Sequence, residues 1–115
     1  MNISIIDKKI TLEDLRMIAK EGFGDMVKAV VDIERALMAI GGEMHADEEA
    51  LLIEKGSNQN NLWGINLYPD MQESDWIEFD SMINVRPAQG NRSRGVKNLD
   101  TQERIQKTVS YLIER

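Results

Sequence analysis

Cysteine is absent from the 115-residue chain, and proline occurs only twice. Without cysteine the chain has no disulfide, no thiolate-bound zinc or iron–sulfur cluster and no thiol nucleophile, and this composition is typical of a reducing compartment. No apolar run approaches the roughly 18 residues of a membrane span, and the N-terminal residues lack the features of a signal peptide. The sequence therefore predicts a cytoplasmic protein that does not enter a membrane.

Positive charge and aromatic side chains are also scarce. The chain has 14 Lys and Arg against 20 Asp and Glu, a formal net charge of −6, and 5% aromatic residues. Because negative charge repels a phosphate backbone, non-specific binding to nucleic acid is not expected. The length and the 42% hydrophobic content suit one domain over residues 1–115 with an aliphatic core.

Local patterns predict the element order β-α-ββ-α-ββ-α. Thr11 is an N-cap ahead of acidic residues, so we expect a first helix that ends near Glu21. The other predicted elements are strands at Ile3–Ile6, Leu62–Tyr68 and Trp76–Arg86, a helix capped by Asp47 and ending near Lys55, and a helix starting at Asp100. This order predicts an α+β fold, in which helices cover one face of a mostly antiparallel sheet.

Two structures fit the segment Met26–Ile40. In a helix, its apolar residues recur at intervals of four and three, and two glycines follow as a stop signal. In a hairpin, its β-branched residues form strands on either side of a turn at Glu34–Ala36. We expect the hairpin, partly because of the family resemblance described below.

Alternation within Trp76–Arg86 predicts a strand with one core face and one polar face. The core face holds Ile77, Phe79, Ser81, Ile83 and Val85, and the other face holds Glu78, Asp80, Met82, Asn84 and Arg86. The polar residues of this second face would be exposed together with Asn66. The segment Asp70–Asp80 holds five acids and no base, directly before a basic loop. We expect these charges to pair within one chain or across the two-fold axis of a homodimer.

The segment RPAQGNRSRGVK, Arg86–Lys97, holds four basic residues and no acid. Arg guanidinium groups match carboxylate and phosphate oxygens two at a time, and glycines let backbone amides turn toward an anion. The glycine spacing matches neither a P-loop nor a dinucleotide-binding motif. We predict an anion-binding loop formed by Arg86, Asn91, Arg92, Ser93 and Arg94.

An alternative is that this loop pairs with carboxylates of the same protein. Arg86 precedes a proline at the end of the predicted strand, so we expect it to be paired, with Asp80 or Asp32 as partner. Arg92 and Arg94 lie among Gly, Asn and Ser and are expected to be free.

A second candidate site is a metal centre formed by Asp32, His45, Asp47 and Asp80. His-x-Asp can supply two metal ligands, and the other two carboxylates lie on predicted strands. One His and no Cys fit zinc poorly, Asp47 also fits a simple helix cap, and His45 also fits a loop residue bonded to backbone. No cofactor is predicted.

Three strings resemble a known family: GGEMHADEE (41–49), NLWGINLYP (61–69) and IEFDSMINVRPAQGNRSRGV (77–96). They are similar to those of a family of short prokaryotic proteins known only as a domain of unknown function. The resemblance implies one compact unit in which the Asp32-x-Glu34, His45-x-Asp47 and Asn91-Arg92-Ser93 positions belong together. It implies no mechanism.

The sequence thus favours a small binding or interaction module over an enzyme. Its basic loop would recognise an anionic group on a small ligand, an RNA end or a protein. The alternatives are a metal-assisted hydrolase or nuclease, and a partner protein of a small two-component regulatory system.

Overall fold

The computed structural model describes residues 2–115. The strands are β1 (Ser4–Ile6), β2 (Ile10–Thr11), β3 (Val27–Asp32), β4 (Leu37–Ile40), β5 (Leu62–Leu67), β6 (Ile77–Glu78) and β7 (Ile113–Glu114). The α-helices are α1 (Leu12–Glu21), α2 (His45–Glu54) and α3 (Leu99–Leu112), and 3₁₀ turns span Gln59–Asn61, Met82–Asn84 and Pro87–Gln89. Within residues 2–115, no helix has the length and apolar composition to cross a membrane.

One antiparallel sheet organises the fold. Its strands lie in the order β1-β4-β3-β5-β6, and every neighbouring pair runs antiparallel. The short strands β2 and β7 form a separate parallel pair. The predicted α+β fold with a mostly antiparallel sheet is confirmed.

Helices pack on both faces of this sheet. Val31 of β3 packs in one core with Leu15 of α1 and Ile105 of α3, whereas Val30 packs in another core with Leu52 of α2. Because successive strand residues point to opposite faces, these two cores lie on opposite sides of the sheet. The expectation of helices on one face therefore holds for α1 and α3, and α2 covers the other face, which we call the α2 face.

The segment Met26–Ile40 forms the hairpin of β3 and β4, as expected. The Asp32 carboxylate accepts hydrogen bonds from the backbone N–H groups of Glu34 and Arg35, each at 2.9 Å. Ala36 completes the turn in the left-handed region with φ of 55°. Both strands are buried on two faces, so their apolar residues do not alternate, and that pattern resembles a helix.

The predicted strand Trp76–Arg86 is wrong beyond its first residues. β6 covers only two of its residues, and a 3₁₀ turn follows. Ile77 and Phe79 pack against the core of α1 and α3, whereas Ile83 packs against the core under α2. The apolar alternation thus comes from a chain that wraps around the edge of the sheet.

Side chains replace the missing backbone partners along the outer edge of β5. Asn84 Oδ1 accepts the Gly64 N–H at 2.8 Å and Asn84 Nδ2 donates to the Gly64 carbonyl at 2.9 Å, so this amide pairs as a peptide group would. Ser81 crosses directly above Gly64, where a Cβ would lie 2.5 Å from the Ser81 side chain. Asn66 and Asn84, predicted to be exposed, are buried.

The predicted start of α1 is confirmed and that of α2 is wrong. Thr11 caps α1 through a capping box with Asp14, each contact measuring 3.0 Å. α2 begins at His45 with Met44 as N-cap and without a capping side chain, so Asp47 lies in the first turn. The helix starts earlier because His45 packs against the sheet.

α3 also starts before its predicted first residue, Asp100. Its N-cap is Asn98, whose Oδ1 accepts the Thr101 N–H at 3.0 Å. The helix therefore begins directly at the end of the basic loop.

Candidate functional site

The buried side-chain amide of Asn91 holds the basic loop, Arg86–Lys97, in place. Asn91 is only 4% exposed, and its Nδ2 donates to the carbonyls of Asn84 at 2.7 Å and Gly95 at 2.8 Å. Its Oδ1 accepts the Lys97 N–H at 3.0 Å. The Asn91 side chain is therefore occupied by the backbone of its own loop.

Arg86 points into the fold. Its Nε donates to the Ile83 carbonyl at 2.9 Å, and its Nη2 donates to the Leu62 carbonyl and to Glu49 Oε2, the latter at 3.4 Å. The guanidinium carbon lies 4.7 Å from the centre of the Trp63 ring. Burial lowers the pKa of Arg86, and the Glu49 charge opposes that effect.

The predicted partners of Arg86 are wrong. Asp80 pairs with Arg94 at 2.7 Å, and the Asp32 carboxylate holds the hairpin turn. Glu49 lies 37 residues from Arg86 in sequence, so only the packing of α2 brings the two together. Arg86 has the structural role that the sequence predicted, with a different partner.

The other predicted anion ligands of the loop differ in exposure and in contacts. Arg92 is exposed and makes no side-chain hydrogen bond or ion pair with any residue in 2–115. Ser93 is half-buried, and Arg94, expected to be free, pairs with Asp80 at a partly exposed position. The five predicted anion ligands therefore do not converge on one point.

A pocket of about 360 Å³, the loop pocket, opens where the loop meets the start of α3. Its lining residues are Trp63, Gln89, Gly90, Asn91, Lys97, Asn98 and Thr101. None of them is acidic, and Lys97 carries a positive charge. Trp63 is 6% exposed, and its buried Nε1–H has no hydrogen-bond partner among the described residues. An indole N–H can only donate, so Trp63 brings an unsatisfied buried donor to a pocket that is also lined by the cation of Lys97.

A second cavity of about 500 Å³, the α2-face groove, lies between the start of α2 and the outer strands β5 and β6. Two exposed methionines, Met44 and Met82, line it. The polar and charged side chains that line the groove include Lys28, Glu43, His45, Asn66, Tyr68, Glu78, Asp80 and Arg94.

Three residues in the floor of this groove form one row across the sheet. Lys28 lies opposite Asn66, and Asn66 opposite Glu78, so their side chains share a face. Asn66 Nδ2 donates to Glu78 Oε1 at 2.8 Å, and the Tyr68 hydroxyl donates to the same oxygen at 3.2 Å. Lys28 makes no ion pair within residues 2–115, and its Nζ lies 5.5 Å from the centre of the Phe23 ring.

His45 is buried at the start of α2, where its Nε2 lies 2.8 Å from the Ile65 carbonyl. A carbonyl can only accept, so Nε2 carries the proton of the neutral ring. Burial lowers the pKa of His45, the hydrogen bond to Ile65 opposes this, and the Lys28 charge lowers the pKa further. His45 is therefore neutral at pH 7.

The structure does not bring the four candidate metal ligands together. His45 and Asp80 line the α2-face groove, but Asp47 is exposed in the first turn of α2. Asp32 is buried at the hairpin, where it also accepts the Ser57 hydroxyl at 2.6 Å. Among residues 2–115, no group of three or more His, Cys, Asp or Glu side chains is placed to hold a metal ion.

Lys28, Trp63 and Glu48 are absent from the predicted site residues. Lys28 interrupts the apolar run Val27–Val31, and a charge in an otherwise apolar strand is a usable signal. Glu48 lies on the buried side of α2, three residues after His45. For Trp63 there is no such signal, because an indole without a partner is visible only in three dimensions.

Comparison with curated proteins and with solved structures gave no match. The model of one family, described as "Protein of unknown function (DUF5674)", matches residues 4–112, which is nearly the whole chain. The expectation of a family of unknown function is thereby confirmed, and the chain belongs to this family.

Proposed function

We propose that this protein is a binding module that holds the anionic group of a small ligand in the loop pocket. The observation that carries the proposal is the buried Trp63 N–H without a partner, in a residue that lines a pocket together with Lys97 and with no acidic residue. An unsatisfied buried donor costs about 1–3 kcal/mol, and an anion that accepts its hydrogen bond removes that cost.

The electrostatic surroundings support an anion at this place. Lys97 lines the pocket, and Arg92 projects from the same loop without a partner in residues 2–115. The pocket lies at the N-terminal end of α3, where the helix macrodipole is positive, although Asp100 offsets part of that field. The Arg86 guanidinium stacks on Trp63, and its ion pair with Glu49 offsets most of the positive potential that it would add at the indole.

The ligand is expected to be small. A net charge of −6 opposes the approach of a long polyanion, while a single phosphate or carboxylate meets only the local field. The absence of cysteine suits a cytoplasmic location, which is part of this proposal.

The indole resonances provide a direct test. In ¹⁵N-labelled protein titrated with inorganic phosphate and then with acetate, the Trp63 Nε1–H resonance should shift saturably and that of Trp76 should not. Lys97→Gln should weaken binding about tenfold, as loss of one charge-assisted hydrogen bond implies. Lys107→Gln, which removes an exposed charge farther along α3, is the matched control and should leave the affinity unchanged.

Two outcomes would contradict the proposal. One is a Trp63 indole resonance that stays fixed at millimolar phosphate and acetate. The other is an equal loss of affinity in Lys97→Gln and Lys107→Gln, which would show a response to net charge and no specific site.

The metal-assisted hydrolase or nuclease is the second candidate, and the one observation that favours it is that two of its four residues, His45 and Asp80, share the α2-face groove, although no three candidate ligands converge among residues 2–115. Paramagnetic Mn²⁺ bound there would broaden the resonances of both residues, and Asp80→Ala would abolish the effect. Uniform, weak broadening across the acidic surface would count against this alternative.

A further inference from the structure

The α2-face groove has unpaired charges of opposite sign at the two ends of its floor. At one end Lys28 makes no ion pair within residues 2–115. At the other end Glu78 Oε1 is held by Asn66 and Tyr68, while its Oε2 accepts no hydrogen bond from the described residues. Because Asn66 lies between them, the two charges do not neutralise each other.

The two ends of this row indicate the class of ligand that would join them. Neighbouring strands lie about 4.8 Å apart, so the Cα atoms of Lys28 and Glu78 are about 10 Å apart, and each charge sits at the end of a flexible side chain. A small zwitterion carries an ammonium and a carboxylate a few bonds apart, so it can pair with both charges at once. An α-amino acid belongs to this class of ligand.

The other groups in the groove suit the same ligand. The buried Asn66 Oδ1 has no donor among residues 2–115, so the Glu78 end is rich in acceptors for an ammonium. His45 is neutral, and Arg94 and Asp80 neutralise each other at 2.7 Å. Glu43 also lines the groove and, like Glu78, is exposed to solvent, but it does not belong to the row of Lys28, Asn66 and Glu78.

The groove also offers apolar contacts. Met44 and Met82 are 58% and 66% exposed, and both line the groove. Methionine is flexible and polarisable, and it adapts to apolar groups of different shape. An apolar ligand side chain would cover both of these residues.

We infer that the α2-face groove is a second binding site, and that it takes a small α-amino acid with an apolar side chain. The ligand carboxylate pairs with Lys28, and its ammonium group pairs with Glu78. This site shares no lining residue with the loop pocket, so it does not depend on the function proposed there.

The test is calorimetry with L-leucine, L-methionine and L-phenylalanine. For each amino acid that binds, the amine without the carboxylate and the acid without the ammonium are measured next. Both analogues should bind about tenfold to a hundredfold more weakly, since each lacks one charge-assisted hydrogen bond. Binding of none of the three amino acids, or equal binding of the analogues, would overturn the inference.

Two variants assign the ends of the ligand. In Lys28→Met the amino acid and its amine should bind equally, and in Glu78→Gln the amino acid and its acid should bind equally. The same series is measured in Lys97→Gln, which weakens carboxylate binding at the loop pocket: binding at the groove persists in Lys97→Gln and is lost in the groove variants, so failure at one pocket can be told from failure at the other. A uniform loss for all probes in both groove variants would refute the assignment, and if a variant does not fold, the analogue series with the unaltered protein decides.

Discussion

Glu48 is a buried acid whose ionisation should govern how stability depends on pH. Its side chain is fully buried on the inner side of α2, where Oε2 accepts the Gly42 N–H at 2.9 Å and Oε1 has no partner among the described residues. Burial raises the pKa of Glu48 from an ordinary 4.5 to about 9. The folded protein therefore holds this carboxyl group protonated at neutral pH.

The sign and size of the effect follow from proton linkage. Between about pH 4.5 and pH 9 the unfolded chain has lost the Glu48 proton and the folded chain has kept it. The free energy of unfolding then falls as pH rises, by about 1.4 kcal/mol per pH unit. At pH 7 the burial of Glu48 thus costs about 3 kcal/mol relative to conditions below pH 4.5.

Glu48→Gln isolates this contribution. Glutamine has nearly the shape of the protonated acid and can still accept the Gly42 N–H, but it does not titrate. The free energy of unfolding is measured by urea denaturation between about pH 4 and pH 9. The stability of Glu48→Gln relative to the unaltered protein should be near zero at the acid end and rise to about 3 kcal/mol in favour of the variant at pH 7.

Glu54→Gln is the matched control, because it alters an exposed acid on the same helix. Its stability relative to the unaltered protein should not change with pH. A difference between Glu48→Gln and the unaltered protein that is constant across the pH range would refute the reasoning. It would show that Glu48 has an ordinary pKa in the fold.

Other substitutions test single packing features by thermal and urea unfolding. Arg86→Ala should lower the free energy of unfolding by about 3–5 kcal/mol, because it removes one partner of a largely buried ion pair. Arg92 is exposed, so Arg92→Ala should change the free energy of unfolding by no more than about 0.5 kcal/mol. Equal losses in the two variants would contradict these assignments. Gly64→Ala should lower the free energy of unfolding by about 1–3 kcal/mol, since its Cβ would lie 2.5 Å from the Ser81 side chain. A stabilised variant would show that Ser81 does not pack this closely over Gly64. Asn91→Ala should lower the free energy of unfolding by about 3 kcal/mol or more, because several backbone groups of the loop lose their hydrogen-bond partner. The basic loop should then become sensitive to limited proteolysis, and an unchanged rate of cleavage would show that Asn91 does not hold the loop.

Short-range signals in the sequence were sufficient for much of the secondary structure. The capping box of Thr11 and Asp14 spans four residues and lies where it was predicted. The hairpin turn at Glu34–Ala36 was also expected, partly from the family resemblance, and in the structure neighbouring amides bonded to the Asp32 carboxylate hold it. Such contacts form within one or two turns of chain, so residue types at fixed spacing are enough to indicate them.

The same local patterns could not say which face of the sheet a residue would join. Ile77 and Ile83 alternate as in one strand, yet they pack in cores on opposite faces. Asn84 was expected on an exposed face, but it is buried because it replaces a backbone partner of Gly64. Both outcomes depend on how the chain after β6 packs against the edge of β5. The periodicity of the sequence carries no information about that packing.

By itself, then, the sequence determined the α+β class, the family, and the presence of a basic loop that leads into a helix, and it favoured the hairpin over a helix only with the help of the family resemblance. Only the tertiary structure decided what the charges of that loop do. It placed Arg86 against Glu49, Arg94 against Asp80, and Lys97 in the lining of the pocket to which the unpartnered indole of Trp63 also belongs. The physical reason is that burial and pairing depend on side chains from distant segments, so the role of each charge is set by packing and not by its neighbours in the chain.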